Sequence, residues 1–122
     1  MTRPMLFLVL ALAPAGALHA MDVATFLAKA DALQRQGMLA MFSSDIGLLK
    51  AEIQDDGKAL RAEQAAAQRA GRRPAFCMPA KAEVNSNELI AHLRTIPVAE
   101  RARTQVRDAF RTLVVRKYPC PA

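Results

Sequence analysis

The chain has 122 residues, a formal net charge of +6 and 52% apolar residues, but no Trp and one Tyr. That length suits one small domain, and the balance excludes a multidomain enzyme, a disordered chain and a disulfide-dense miniprotein. Much of the apolar content is alanine, so the core is thin and a self-contained cofactor enzyme is not expected; no cofactor is assigned.

The first element is a leader. Met1-Thr2-Arg3-Pro4 is a short positive start, Met5 to Ala13 is an unbroken apolar run, and Pro14 to Ala20 is a small-residue exit. This order predicts a secretory signal peptide over 1–20, followed by a single domain over 21–122. As a helix the run would rise only about 14 Å, too short for a hydrocarbon core near 30 Å. Cleavage fits best after Ala20, with Ala17 as the second fitting point. No cysteine follows the leader for lipid attachment, and no later segment is apolar enough to span a membrane. The product is expected in an oxidising space, periplasmic or secreted.

The mature chain then reads as helices. Asp22 is a good N-cap, Val23, Phe26, Leu27, Ala30 and Leu33 recur at helical spacing, and Gly37 stops a helix over about 22–36. Met38 to Phe42 is a dense apolar run, read as a short helical turn. Ser43 and Ser44 begin a long helix over about 45–70, with Ile46, Leu49, Ile53, Leu60 and Ala67 as its stripe. Gly57 interrupts it, either as a tolerated glycine or as a point of close approach. Small side chains from Ala62 to Ala70 suggest an end that projects from the body, and Asp55-Asp56 reads as a solvated pair. Asn85 with Glu88 resembles a capping box for a helix over 86–95. Pro97 then opens a last helix over 98–117, striped by Val98, Ala102, Val106, Ala109, Phe110, Leu113 and Val114. No run of β-formers competes, so the fold expected is all-α, a small bundle of four to five helices.

Cys77 and Cys120 are the only cysteines. Export favours their oxidation, and a disulfide between them would close the helix pair 86–95 and 98–117 at its open end. In the chain-entropy model such a loop stabilises by about 4 kcal/mol.

Catalytic and metal chemistry find little support. His92 is the only histidine after the leader, no nucleophile elbow or phosphate loop is present, and the residues cannot supply a four-ligand zinc site. No catalytic or metal residue is assigned, and the protein is not read as an enzyme. The basic residues say more. Arg94, Arg101, Arg103, Arg107, Arg111, Arg116 and Lys117 crowd the C-terminal segment against only Glu100 and Asp108. Arg103, Arg107 and Arg111, four apart, would form one row along the last helix, a candidate surface for an acidic partner. Export argues against nucleic acid as that partner.

Phe76-Cys77-Met78-Pro79, Asn87-Glu88-Leu89-Ile90, His92-Leu93-Arg94, Pro97 with Arg101, Phe110, and Tyr118-Pro119-Cys120-Pro121 form an ordered string. It resembles the Rap/Tai-type immunity proteins of type VI secretion, in which a C-x-P loop, a helix, a hinge, a second helix and a terminal F-P-C follow one another. The resemblance covers residues 76–121. It implies a small helical periplasmic protein that binds a secreted cell-wall-degrading toxin and neutralises it by occlusion, often as a homodimer. The competing expectation is a small periplasmic stress chaperone.

Overall fold

The computed structural model describes residues 21–122, and the leader assigned to 1–20 lies outside the described residues. Helix α1 is Val23–Gln36, a 3₁₀ turn follows at Gly37–Phe42, and α2 is Ser44–Arg69. Then come α3, Ser86–Arg94, the single-turn α4, Val98–Arg101, and α5, Val106–Lys117. No strand occurs among the described residues, so the fold is all-α.

The helix starts follow from side chains that compete for the first free N–H groups. Asp22 accepts from the Thr25 amide at 2.8 Å, Ser43 from the Asp45 amide at 3.2 Å, and Asn85 from the Glu88 amide at 2.8 Å. The capping box at α3 is only half made, because the Glu88 carboxylate goes to Lys117 Nζ at 2.8 Å instead of returning to Asn85. Gly37 ends α1 at φ 58°, a backbone state that a side chain disfavours.

Val23, Phe26 and Leu27 of α1, Leu49 and Leu60 of α2, Phe76 of the loop before α3, Leu89 and Leu93 of α3, and Val106, Ala109, Phe110, Leu113 and Val114 of α5 form one core. The stripes expected for α1, α2 and α3 therefore face inward. The last helix departs from expectation. It is two helices, with residues 102–105 unwound between them, and the stripe members Val98 and Ala102 are exposed, Val98 by 77%.

The cause is a competing backbone partner. Asp22 and Gln105 form an antiparallel bridge. The Val23 amide donates to the Thr104 carbonyl at 2.8 Å, and the Val106 amide donates to the Met21 carbonyl at 2.9 Å. Gln105 must be extended to make that pair, so helical hydrogen bonds are lost there and α5 restarts one residue later. Arg101 holds the corner from the other side: its Nε donates to the Ile96 carbonyl at 2.8 Å and its Nη2 to the Arg94 carbonyl at 2.9 Å.

Cys77 and Cys120 are joined, with Cα atoms 4.8 Å apart. The Cys77 amide donates to the Tyr118 carbonyl at 2.8 Å, and Arg73 donates to the carbonyls of Cys120 and Pro121. The tail of α5 is thus fixed to the loop ahead of α3, as the pairing from sequence requires. The C-terminal end of α2 does not project. Gln64 exchanges two hydrogen bonds with the Met78 backbone, Arg61 donates to the carbonyls of Pro79 and Ala82, and Ala67 is buried.

Candidate interaction surface

The three arginines do not form one row on α5. Arg103 lies in the unwound turn, outside α5, and is exposed. Arg107 and Arg111 do share a face of α5, but that face turns toward α2. Arg107 Nε lies 3.0 Å from Asp56 Oδ1, and Arg111 reaches Glu63 at 3.0 Å and Asp108 at 2.7 Å. Hydrogen bonds to both carboxylates raise the Arg111 pKa above its usual value. Two of the three arginines therefore join α5 to α2, and the like-charge repulsion read from their spacing is relieved within the molecule.

Their partners correct another expectation. Asp55 is exposed, but Asp56 is only 2% exposed. Adjacent residues on a helix point about 100° apart, so one faces water and the other faces α5. Asp56 Oδ2 has no hydrogen-bond partner among the described residues. One turn earlier, Glu52 sits close enough to Asp56 to share a proton with it, and burial first, then the neighbouring Asp56 carboxylate, push its pKa up to about 7.

His92 is a structural tie between α3 and α5, in line with its reading as a packing residue. Its Nε2 lies 2.9 Å from the Ala109 carbonyl, which accepts, and its Nδ1 lies 3.4 Å from Arg116 Nη2. Burial lowers its pKa, and the Arg116 charge acts in the same direction. The neutral tautomer with a proton on Nε2 satisfies both contacts. Among the described residues no group of three or more His, Cys, Asp or Glu is placed to hold a metal ion.

The surface that stands out lies elsewhere. Met38, Leu39, Met41 and Phe42 are 85%, 71%, 75% and 86% exposed. They all belong to the 3₁₀ turn, and its geometry explains why. With three residues per turn, side chains at i and i+3 eclipse. Gly37 and Ala40 share one edge, and Ala40 is the buried residue of the turn. Met38 stacks over Met41 on a second edge, and Leu39 over Phe42 on the third. The small edge packs inward, so the two large apolar edges face solvent.

The corner is well anchored. Gly37 caps α1, the Ser43 amide donates to the Ala40 carbonyl at 2.9 Å, and Lys29 of α1 pairs with Asp45 of α2 at 3.2 Å across the base. Sequence reading assigned Met38–Phe42 only as a turn. The available signal was compositional: a connector between two helices is ordinarily polar, and here Gly37–Phe42 has no polar side chain.

Comparison with protein families, with characterised proteins and with solved structures gives no match for this chain.

Proposed function

We propose that this is an exported binding protein that neutralises a secreted cell-wall-degrading toxin, an immunity protein of the type VI secretion kind, acting in the periplasm after loss of a signal peptide. The observation that carries the reading is the exposed apolar corner, Met38, Leu39, Met41 and Phe42, fixed on a helical body. Four large apolar side chains at one point are costly to leave in water and supply the buried centre of a protein interface. Methionine adapts to an irregular partner surface, and Phe42 provides a rigid anchor. The chain is basic, with net charge +6, which favours a partner whose contact face is rimmed by acidic residues. Two further features agree with export: the leader-like start of the sequence and the Cys77–Cys120 disulfide. The resemblance of residues 76–121 to Rap/Tai-type proteins supplies the partner class. Inhibition is then steric: the corner seats on the toxin and the bundle covers its substrate cleft, with no chemistry required from this chain.

The reading expects a cell-wall hydrolase to be encoded beside this gene; the test directs that hydrolase to the periplasm and follows lysis with and without this protein. Protection by the wild type, lost with Met38→Ser and Phe42→Ser while folding is unchanged, supports the reading. Truncating an interface anchor costs about 2 kcal/mol or more, roughly thirtyfold in affinity.

The same corner gives the stress-chaperone reading its one specific support, since flexible apolar side chains also bind unfolded clients. That reading predicts suppressed aggregation of unrelated proteins at a pH of about 2–3, below ordinary carboxylate pKa values. Immunity predicts saturable one-partner binding at neutral pH.

A further inference from the structure

We infer that the nitrogen of Met21, once freed as an α-ammonium by cleavage after Ala20, is a built-in counter-ion for the Glu52–Asp56 carboxyl pair, so that removal of the leader completes an internal ion cluster of the fold. Four residues from three elements converge there. Met21 is held by its own carbonyl, which accepts from the Val106 amide at 2.9 Å, and its side chain packs partly buried against the core. The Met21 nitrogen lies close enough to the Glu52 carboxylate to lower its pKa, against the upward push of burial and Asp56. Glu52 and Asp56 stand one turn apart on α2, and Arg107, next to Val106 on α5, reaches Asp56 Oδ1 at 3.0 Å. The remaining charge at this point, Asp22, is occupied in capping α1, with its two carboxylate oxygens on the Thr25 amide and hydroxyl, each at 2.8 Å.

The cluster is short of one positive charge and one donor. Two carboxyl groups face a single cation, and Asp56 Oδ2, within a residue only 2% exposed, accepts nothing. A buried acceptor without a partner is costly, and a native fold ordinarily satisfies it. As an amide, the Met21 nitrogen has one proton to give and no charge. Hydrolysis of the Ala20–Met21 bond by a leader-processing peptidase changes that. Water adds across the C–N bond, Ala20 departs as the carboxylate end of the leader, and Met21 keeps the nitrogen, which takes up a proton. The product has three donors and a full positive charge, at a position already set by the bridge between Asp22 and Gln105. Cleavage after Ala17 would leave Leu18, His19 and Ala20 ahead of Met21, and its nitrogen would remain an amide.

The experiment expresses the full chain with its leader and purifies the exported product. Intact mass and N-terminal sequencing are expected to read Met-Asp-Val. The α-amine is then titrated by NMR after reductive methylation with labelled formaldehyde. An ordinary α-amine titrates at about 7.7–8.0. The account expects this one to lie at least about one pH unit higher, because two carboxylates favour its charged form. Glu52→Gln, which keeps the size and the hydrogen bonds, should bring it back toward the ordinary value. A product that starts elsewhere, an uncleaved chain, or an α-amine at its ordinary value and indifferent to Glu52→Gln each overturns the inference. The inference rests on the export part of the proposed function, loss of the leader after Ala20; none of these readouts involves a toxin, so its failure and a failure of toxin binding are told apart.

Discussion

Arg107 and Arg111 look equivalent in the sequence, four residues apart on one helix, yet they work against different backgrounds. Asp56, the partner of Arg107, is buried, whereas Glu63 and Asp108, the partners of Arg111, are 43% and 58% exposed. Breaking an exposed pair costs about 0–1 kcal/mol. Removing the partner of a buried carboxylate leaves that charge uncompensated and costs more, about 1–3 kcal/mol. Arg107→Ala should therefore lower the melting temperature clearly more than Arg111→Ala, and equal losses would contradict the assignment. His92 gives a prediction with a sign in pH. Its folded pKa lies below the ordinary value of about 6.5, so the unfolded chain binds more protons in that range. The stability it contributes is fully present above about pH 6.5 and is lost as the pH falls through the lower folded value. His92→Gln keeps a donor for the Ala109 carbonyl and cannot titrate. Thermal melts at pH 7.5 and 5 should show a smaller acid loss in the variant. Helical period could not reveal these assignments, because burial of Asp56 and of His92 depends on which helix lies opposite.

At the level of elements, the sequence carried the starts of α1, α2 and α3 and the inward stripes through Phe26, Leu60 and Leu93, because caps and spacing act locally. It did not carry the break at 102–105. Val98, Ala102 and Val106 keep helical spacing throughout, and the break comes from backbone bonds to Met21 and Val23, some eighty residues away. Gly57 of α2 is a tolerated glycine rather than a point of close approach. A Cβ on Gly57 would sit 3.9 Å from Phe110 Cε1, an ordinary contact, so no close helix approach requires it. Gly57→Ala should stabilise by about 0.5–1 kcal/mol through helix propensity, roughly 2–8 °C in melting temperature for a domain of this size. A destabilised variant would show that the contact with Phe110 leaves no room. The disulfide joins elements rather than residues. Cys77→Ser frees the end of α5 from the loop before α3 and should cost up to about 4 kcal/mol. A melting temperature equal to that of the wild type would show that the crosslink does not support the fold.

For the whole molecule, the pieces combine into a body whose ties point inward and one corner that points out. The ion pairs between Lys29 and Asp45, Arg94 and Asp31, Arg107 and Asp56, and Lys117 and Glu88 each join different elements. Much of the positive charge that looked like a docking surface is thereby used to hold helices together. The apolar corner has the opposite character. Its backbone is fixed at both ends, yet its large side chains are mostly exposed. Its position could not be read from sequence, because an apolar run of five is equally suited to a buried turn. Only the three-residue period of the turn, with Gly37 and Ala40 on the inner edge, turns the large side chains outward.

The most direct test of the account takes the cell-wall hydrolase that the account expects to be encoded beside this gene and titrates it, acting on isolated cell walls, with the purified exported protein. The account predicts saturable inhibition near one-to-one stoichiometry by the wild type, and a loss of roughly thirtyfold in potency for Phe42→Ser at unchanged melting temperature. Full hydrolase activity in the presence of excess wild type, or inhibition by Phe42→Ser and Met38→Ser as strong as that by the wild type, would contradict it.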